Sequence, residues 1–179
     1  MRKGQSTIQK LVYSALFLAL AMILPLLTGQ IPQIGKALCP MHLPVLLCGF
    51  LCGWPWGMTV GFAAPFLRFA VFSAPPMPNG IAMAFELAGY GFLTGFLYRR
   101  LPKKPYGVYL SLILAMVGGR VVWGIVRFLM AGLQGSAFPV SAFLASAVLN
   151  SVSGIVLQLV LVPVLVLALQ KAVGTRNTK

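Results

Sequence analysis

The sequence predicts an all-α integral membrane protein, with six transmembrane helices in one bundle and both termini in the cytoplasm. Hydrophobic residues make up 59% of the 179 residues and charged residues only 8%, whereas about a quarter of a typical soluble domain is charged. Several apolar runs reach the ~20 residues that a helix needs to cross the hydrocarbon core. The cations cluster at the termini and in one loop, as membrane topology requires.

Glycine- and proline-rich segments separate the first three predicted helices. An apolar run at 11–27 follows Arg2, Lys3 and Lys10. Equally apolar segments follow it, so we interpret it as a membrane helix rather than a signal peptide. The next segment, TGQIPQIGKALCPM, is too long for a tight turn and is expected to fold over a pocket on the outer side. The second apolar run is short and meets GWPWG, which predicts a tight turn into the third helix.

The later helices are also delimited by loops. SAPPMPNG ends the third helix, RRLPKKP ends the fourth and QGSAFP ends the fifth. The external loop is expected at 28–42, and all spans are expected to form one domain at 1–179. The predicted helices cover about 8–27, 43–53, 57–73, 80–98, 106–132 and 141–171.

Six helices place both termini on one side of the membrane, and the distribution of cations tests this arrangement. Of the 14 lysines and arginines, three lie inside predicted spans and only Lys36 lies in the opposite loops, so the remaining ten lie on the terminus side. By the positive-inside rule, both termini are expected to be cytoplasmic.

The composition argues against several other classes of protein. A net charge of +13 suggests nucleic-acid binding, but the placement of the cations fits topology instead. Cys48 and Cys52 have helical spacing and no second ligand cluster, so these residues and Cys39 are interpreted as packing residues. No metal or cofactor is expected. With one glutamate and one histidine, the chain is poorly equipped for acid–base or metal catalysis within the membrane.

Four charged side chains lie inside the predicted spans: Arg68, Glu86, Arg120 and Arg127, and Glu86 is the only acidic residue of the chain. A charge at bilayer depth is costly and usually marks a pathway or a binding site. With a rise of ~1.5 Å per residue, Arg68, Glu86 and Arg127 lie roughly 7–10 Å below the outer helix ends. Arg120 lies two turns below Arg127, and Asn150 of the sixth helix is a little deeper. These residues are expected to line a substrate pocket.

The charged layer has two interpretations. Glu86 and one arginine form a structural ion pair, or the layer binds a ligand. One carboxylate cannot neutralise three guanidinium groups, and arginine suits carboxylate or phosphate recognition, so we hypothesise an anionic ligand. His42, above the layer, is either a residue of the helix start or a ligand contact. Asn79 is either a cap of the fourth helix or a ligand contact.

Together, these features resemble the substrate-binding S component of an energy-coupling factor (ECF) vitamin transporter. The resemblance spans nearly the whole chain and rests on its size, its six helices, its basic termini and the long loop after helix one. The stretches PMHLPVLLCGFLCGWPWG and PPMPNGIAMAFELAGYGFLTGFLYRRL are similar to the S components that include pantothenate and riboflavin carriers. Ala15 and Ala19 match the first-helix motif through which S components dock on the coupling subunit.

The resemblance implies a transport subunit rather than an enzyme. Such a protein binds a vitamin-like micronutrient from outside and delivers it inward with a transmembrane coupling subunit and two ATPases, in the cytoplasmic membrane of a bacterium or archaeon. The chain has no Walker A sequence, which agrees with ATP hydrolysis in the partners. Pantothenate is the first substrate expected, because it carries a carboxylate and hydroxyls. Riboflavin and pyridoxine-, folate- or nucleobase-like compounds remain alternatives.

Two alternatives of another class remain at the level of the sequence. A membrane scaffold without a ligand predicts a charged layer that pairs internally and encloses no cavity. A secondary carrier commonly has inverted repeats with ion sites at the midplane, and no convincing repeat is present here. The S component, by contrast, predicts a pocket beneath the external loops.

Overall fold

The computed structural model describes residues 6–28, 39–102, 104–133, 135 and 152–176. Within these ranges the chain forms helices and no strand, which confirms the predicted all-helical class for this part of the protein. Six helices are described: α1 (Thr7–Thr28), α2 (His42–Cys52), α3 (Trp54–Phe72), α4 (Met77–Arg100), α5 (Pro105–Leu133) and α6 (Val152–Arg176).

Four of the described helices, α1, α4, α5 and α6, are long and apolar enough to cross a membrane. Helix α2 has 11 residues and is therefore only about 16 Å long. Helix α3 has 19 residues and follows α2 directly. These helices indicate a multi-pass membrane protein.

Helix α4 is the central helix of the described bundle. It packs against α2, α3 and α5, while α1 packs against α2 and α3, and α6 against α2 and α5. In an apolar stretch of 18 residues within α4, half of the residues are buried, against 22–28% in the corresponding stretches of α1, α5 and α6. Because α4 has neighbours on most sides, a polar side chain in its middle faces protein rather than lipid.

Glycines bring α2, α3 and α4 unusually close together. A Cβ atom added at Gly91 of α4 would overlap the backbone of Gly57 in α3, and one added at Gly57 would lie 2.7 Å from the Cα of Gly49 in α2. Nearby, a Cβ at Gly61 would overlap the backbone of Leu87. Small residues let membrane helices approach closely, since packing rather than water release drives their association. The three helices therefore form one tightly packed unit.

The boundaries of two helices depend on glycine and proline. Gly53 alone separates α2 from α3, with φ of 98°, a conformation that favours glycine. Helix α4 begins at Met77, before the predicted start at 80, with Pro76 at its N-cap. Proline is tolerated in the first turn of a helix, so Pro78 does not delay the start. The predicted first part of the sixth helix, 141–151, lies outside the described residues.

Replacing Gly91 by alanine should destabilise the protein, because the added methyl group meets backbone rather than a movable side chain. Overpacking costs typically about 1–3 kcal/mol of unfolding free energy, occasionally more. Thermal unfolding in mild detergent measures the effect. Gly132→Ala in α5 is the control, since a Cβ there has no neighbour within 4 Å, and it should leave stability unchanged or slightly higher. Equal melting temperatures for the two variants would contradict the close contact.

Candidate functional site

A cavity of about 480 Å³ opens between the helices at the end where α4 begins. It reaches along one face of α4, from Pro76 through Asn79 and Met83 to Glu86. Two non-helical segments border it, one before α2 and one between α3 and α4. The lining residues are Pro25, Cys39, Pro40, Met41, His42, Arg68, Ala74, Pro75, Pro76, Asn79, Met83, Glu86, Arg120 and Trp123.

The carboxylate of Glu86 is the polar centre of this cavity. Its Oε1 lies 3.1 Å from Nη1 of Arg120 in α5 and accepts a 3.1 Å hydrogen bond from the Tyr90 hydroxyl, one turn further along α4. His42, the first residue of α2, places Nε2 3.6 Å from the same oxygen. Three helices therefore contribute to one charged cluster, which we call the Glu86 cluster: His42, Glu86, Tyr90 and Arg120.

The Glu86 cluster stabilises a charge that would otherwise be costly. The Glu86 side chain is only 2% exposed, and a buried carboxylate needs a counter-charge and hydrogen bonds to offset desolvation. Arg120 supplies the charge and Tyr90 the hydrogen bond. Since α2 begins at His42, the positive end of its helix dipole also lies beside the carboxylate.

Tyr90 reaches Glu86 because α5 leaves room for its ring. Tyr90 is 1% exposed, and a Cβ atom at Gly119 would collide with that ring. Gly119 directly precedes Arg120 in α5. The same turn of α5 thus accommodates the tyrosine ring and delivers the guanidinium group.

The side chain of His42 is buried without a hydrogen bond to any residue that the structure describes. Its residue exposure is 4%, and neither Nδ1 nor Nε2 has a hydrogen-bond partner among the described residues. The imidazole ring lies 5.2 Å from the Tyr90 ring, centroid to centroid. A buried polar group without a partner is destabilising, so His42 is poised to gain a partner from the cavity.

Arg68 brings a third charged group to the cavity, from α3. One of its terminal nitrogens, Nη1, donates a 3.3 Å hydrogen bond to the carbonyl of Met22 in α1, and its guanidinium carbon lies 5.7 Å from the centre of the Phe72 ring. No ion pair of Arg68 is found among the described residues. Moreover, the only acidic side chain of the whole chain is Glu86, which pairs with Arg120.

The structure brings together five residues that the sequence placed in a pocket. His42, Arg68, Asn79, Glu86 and Arg120 all line the cavity. The prediction that Asn79 caps α4 is wrong, because the N-cap is Pro76 and has no side-chain cap hydrogen bond. Instead, Asn79 Nδ2 lies 3.5 Å from Sδ of Met83.

The remaining predicted residues are either outside the cavity lining or outside the residues that the structure describes. Arg127 is not among the lining residues, and its guanidinium carbon lies 6.0 Å from the centre of the Trp123 ring. Asn150 lies outside the described residues. Ala15 and Ala19 are exposed on α1, on a face away from the cavity.

Several lining residues were not predicted. Trp123 is 8% exposed and forms part of the cavity wall. It follows Arg120 by three residues and therefore lies on the same helix face, which is the signal that could have identified it. Met83 precedes Glu86 by three residues and therefore lies on the same face of α4. Tyr90, which is buried beside the cavity, was also not predicted, and it contacts Glu86 through its hydroxyl.

In the described ranges, no group of three or more histidine, cysteine, aspartate or glutamate side chains is arranged to hold a metal ion. The cavity lining combines a broad apolar wall with three charged groups and one imidazole. Such a cavity suits a small organic molecule with an apolar body and some polar groups.

The comparison with known proteins agrees with the architecture. The family model described as "ECF transporter, substrate-specific component" matches residues 9–166, which is most of the chain. No curated protein and no solved structure matches the chain.

The Glu86–Arg120 pair should behave as a coupled unit. Glu86→Gln and Arg120→Gln each leave a partner charge buried alone and should lower the unfolding free energy by about 3–5 kcal/mol. The double variant E86Q/R120Q removes both charges and should be more stable than either single variant. A double-mutant cycle followed by chemical unfolding in detergent measures this coupling. Strictly additive losses would contradict it.

Proposed function

Because the chain belongs to the family of substrate-specific components of ECF transporters, we propose that it captures an anionic, vitamin-like micronutrient in the cavity beside Glu86. It then delivers the compound inward together with a transmembrane coupling subunit and two ATPases. Pantothenate is the first candidate. The chain itself is a transport subunit, not an enzyme.

The observation that carries this proposal is the excess positive charge of the cavity. Arg68 and Arg120 both line it, and the one acidic side chain of the protein is Glu86, which pairs with Arg120. No other acidic side chain exists to balance Arg68. An anionic ligand would supply the missing charge, and a guanidinium group can hold a carboxylate by two parallel hydrogen bonds.

The dimensions and lining of the cavity support a small-molecule ligand. Its volume of about 480 Å³ lies within the range of roughly 300–1,000 Å³ usual for ligand sites. Like most such sites, it combines apolar walls with a few polar groups. A scaffold without ligand would gain nothing from a cavity that contains two arginines.

Pantothenate has polar groups for both the Arg68 side and the Glu86 side of the cavity. Its carboxylate fits Arg68, and its hydroxyls and amide can meet the groups around Glu86. Riboflavin, pyridoxine-like compounds and nucleobases carry no carboxylate and would leave the charge of Arg68 unbalanced. Folate-like compounds carry carboxylates and remain alternatives. We include Asn79, Arg127 and Asn150 in the proposed substrate site only as residues to be tested by substitution.

The proposed topology has six spans with both termini in the cytoplasm. The cations near the termini and between α4 and α5 support this orientation through the positive-inside rule. It places the cavity toward the outside, beneath the segments that precede α2 and follow α3. The protein then resides in the cytoplasmic membrane of a bacterium or archaeon.

The coupling subunit is proposed to dock on the face of α1 that is exposed on the surface of the helix bundle. Ala15 and Ala19 are exposed there, one helical turn apart, and their small side chains allow a partner helix to approach closely. This face lies away from the cavity, so docking and substrate capture use different surfaces.

Removing the charge of Arg68 should weaken anion binding. A charge-assisted hydrogen bond contributes about 1.5–3 kcal/mol, so Arg68→Gln should reduce the affinity for pantothenate by roughly tenfold to a hundredfold. Panthenol, which has an alcohol in place of the carboxylate, should bind wild type and variant equally. Isothermal titration calorimetry on the detergent-purified protein measures both.

Arg99→Gln is the matched control for Arg68→Gln. Arg99 is exposed in the last turn of α4, far along the helix from the cavity, so its loss should leave pantothenate affinity unchanged. Unaltered binding in Arg68→Gln would refute the anion site. Absence of binding for every compound in a vitamin panel would refute the transport proposal and favour a scaffold.

Larger side chains at the α1 face should block assembly without affecting capture. Ala15→Leu together with Ala19→Leu should abolish co-purification with the coupling subunit and ATPases, whereas substrate affinity should not change. Ala70→Leu, at an exposed position of α3, is the control and should assemble normally. Normal assembly of the α1 double variant would exclude this docking face.

A further inference from the structure

The closest contacts of Glu86 reach one of its two carboxylate oxygens. Arg120, Tyr90 and His42 all approach Oε1. None of these three contacts involves Oε2. Since Glu86 lines the cavity, this second oxygen is available as an acceptor to a bound molecule, and a charged acceptor forms stronger hydrogen bonds than a neutral one.

His42, which also lines the cavity, adds a second acceptor. With Nε2 only 3.6 Å from Oε1, the tautomer that carries its proton on Nε2 is favoured by the carboxylate. A neutral imidazole protonated on Nε2 has Nδ1 as an acceptor. Nδ1 is buried and has no hydrogen-bond partner among the described residues.

We infer that Glu86 Oε2 and His42 Nδ1 form a donor-reading subsite, which binds neutral O–H or N–H groups of the substrate. The inference rests on the proposed function and specifies its substrate class: a monoanion that carries hydroxyl, amide or ureido hydrogens away from its acidic group. Arg68 binds the acidic group, and the donor-reading subsite binds the other end.

The charges around the subsite favour a neutral donor over a charged one. A second anionic group would meet the Glu86 carboxylate and be repelled. A cationic group would compete with Arg120, which is already 3.1 Å from the same carboxylate. A neutral donor disturbs neither contact and can satisfy His42 Nδ1, which is buried without a partner among the described residues, an unfavourable state for a polar atom.

The subsite also gives Glu86 a role in a cavity that is proposed to bind anions. A carboxylate lowers the affinity for any anion nearby, so a site selected only for negative charge would lack it. Glu86 and His42 instead discriminate among anions, because a molecule without a donor leaves the buried Nδ1 of His42 unpaired and gains no hydrogen bond to Glu86. Sites built around buried polar groups reject analogues that cannot pair with them.

Two matched pairs of monoanions test the inference by calorimetry on the full chain in detergent. Pantothenate is compared with N-(3,3-dimethylbutanoyl)-β-alanine, which keeps the carboxylate and amide but lacks both hydroxyls. Biotin is compared with lipoate, which keeps a pentanoate chain on a five-membered sulfur ring but lacks the ureido N–H groups. In at least one pair, the member with donors should bind tenfold to a hundredfold more tightly.

Substitution of His42 separates hydrogen bonding from shape. His42→Phe retains a ring of similar size and leaves the Glu86–Arg120 ion pair in place. It should reduce the preference for the ligand with hydrogen-bond donors over its matched partner at least severalfold. His42→Gln restores a side-chain acceptor and should recover part of the preference. Tyr98→Phe removes the hydroxyl of a buried tyrosine of α4 outside the cavity lining and should leave the preference unchanged.

The outcomes distinguish this inference from the proposed function. If the members of both pairs bind equally to wild type, or if His42→Phe keeps the full preference, the donor-reading subsite is wrong while anion capture stands. If none of the four monoanions binds to wild type, anion capture itself fails, and the subsite fails with it.

Discussion

The arrangement of the site depends on one carboxylate. Glu86 is the only acidic side chain among 179 residues, and it lies in α4, which packs against α2, α3 and α5. Through a single oxygen it contacts residues of α2, α4 and α5. Taking a charge out of water is unfavourable unless partners replace the lost hydration. The positions of His42, Tyr90 and Arg120 are therefore linked to one another, and the inner end of the cavity is set by this cluster.

The close packing of α2, α3 and α4 makes such a cluster possible. Gly49, Gly57 and Gly91 remove the side chains that would separate the three backbones, so α4 is held at a fixed distance from α2. A carboxylate and an imidazole on these helices then face each other within 3.6 Å. Glycine at these positions thus links helix packing to site geometry: residues with no side chain determine where charged side chains meet.

The sequence predicted the class of structure because composition alone requires it: a chain this apolar is expected in a membrane, and apolar runs of this length become helices. It also singled out Glu86, since an acid in an apolar run is conspicuous. It could not identify the arginine that pairs with Glu86, because counting residues gives depth but not rotation about the helix axis. Arg127 illustrates the limit, since it lies two turns from Arg120 but contacts Trp123 instead of the cavity.

The start of α2 has a consequence for hydration. His42 contacts Glu86, which is nine residues into α4, so α2 begins about 13 Å along α4 from the first residue of that helix. The first N–H groups of a helix have no partner within the helix, and that of His42 donates to the Cys39 carbonyl. Pro44 has no N–H, and lipid could not satisfy that of Leu43. Because the cavity borders this helix start, we expect water to reach it when no substrate is bound, so that capture exchanges water for the polar groups of the incoming molecule.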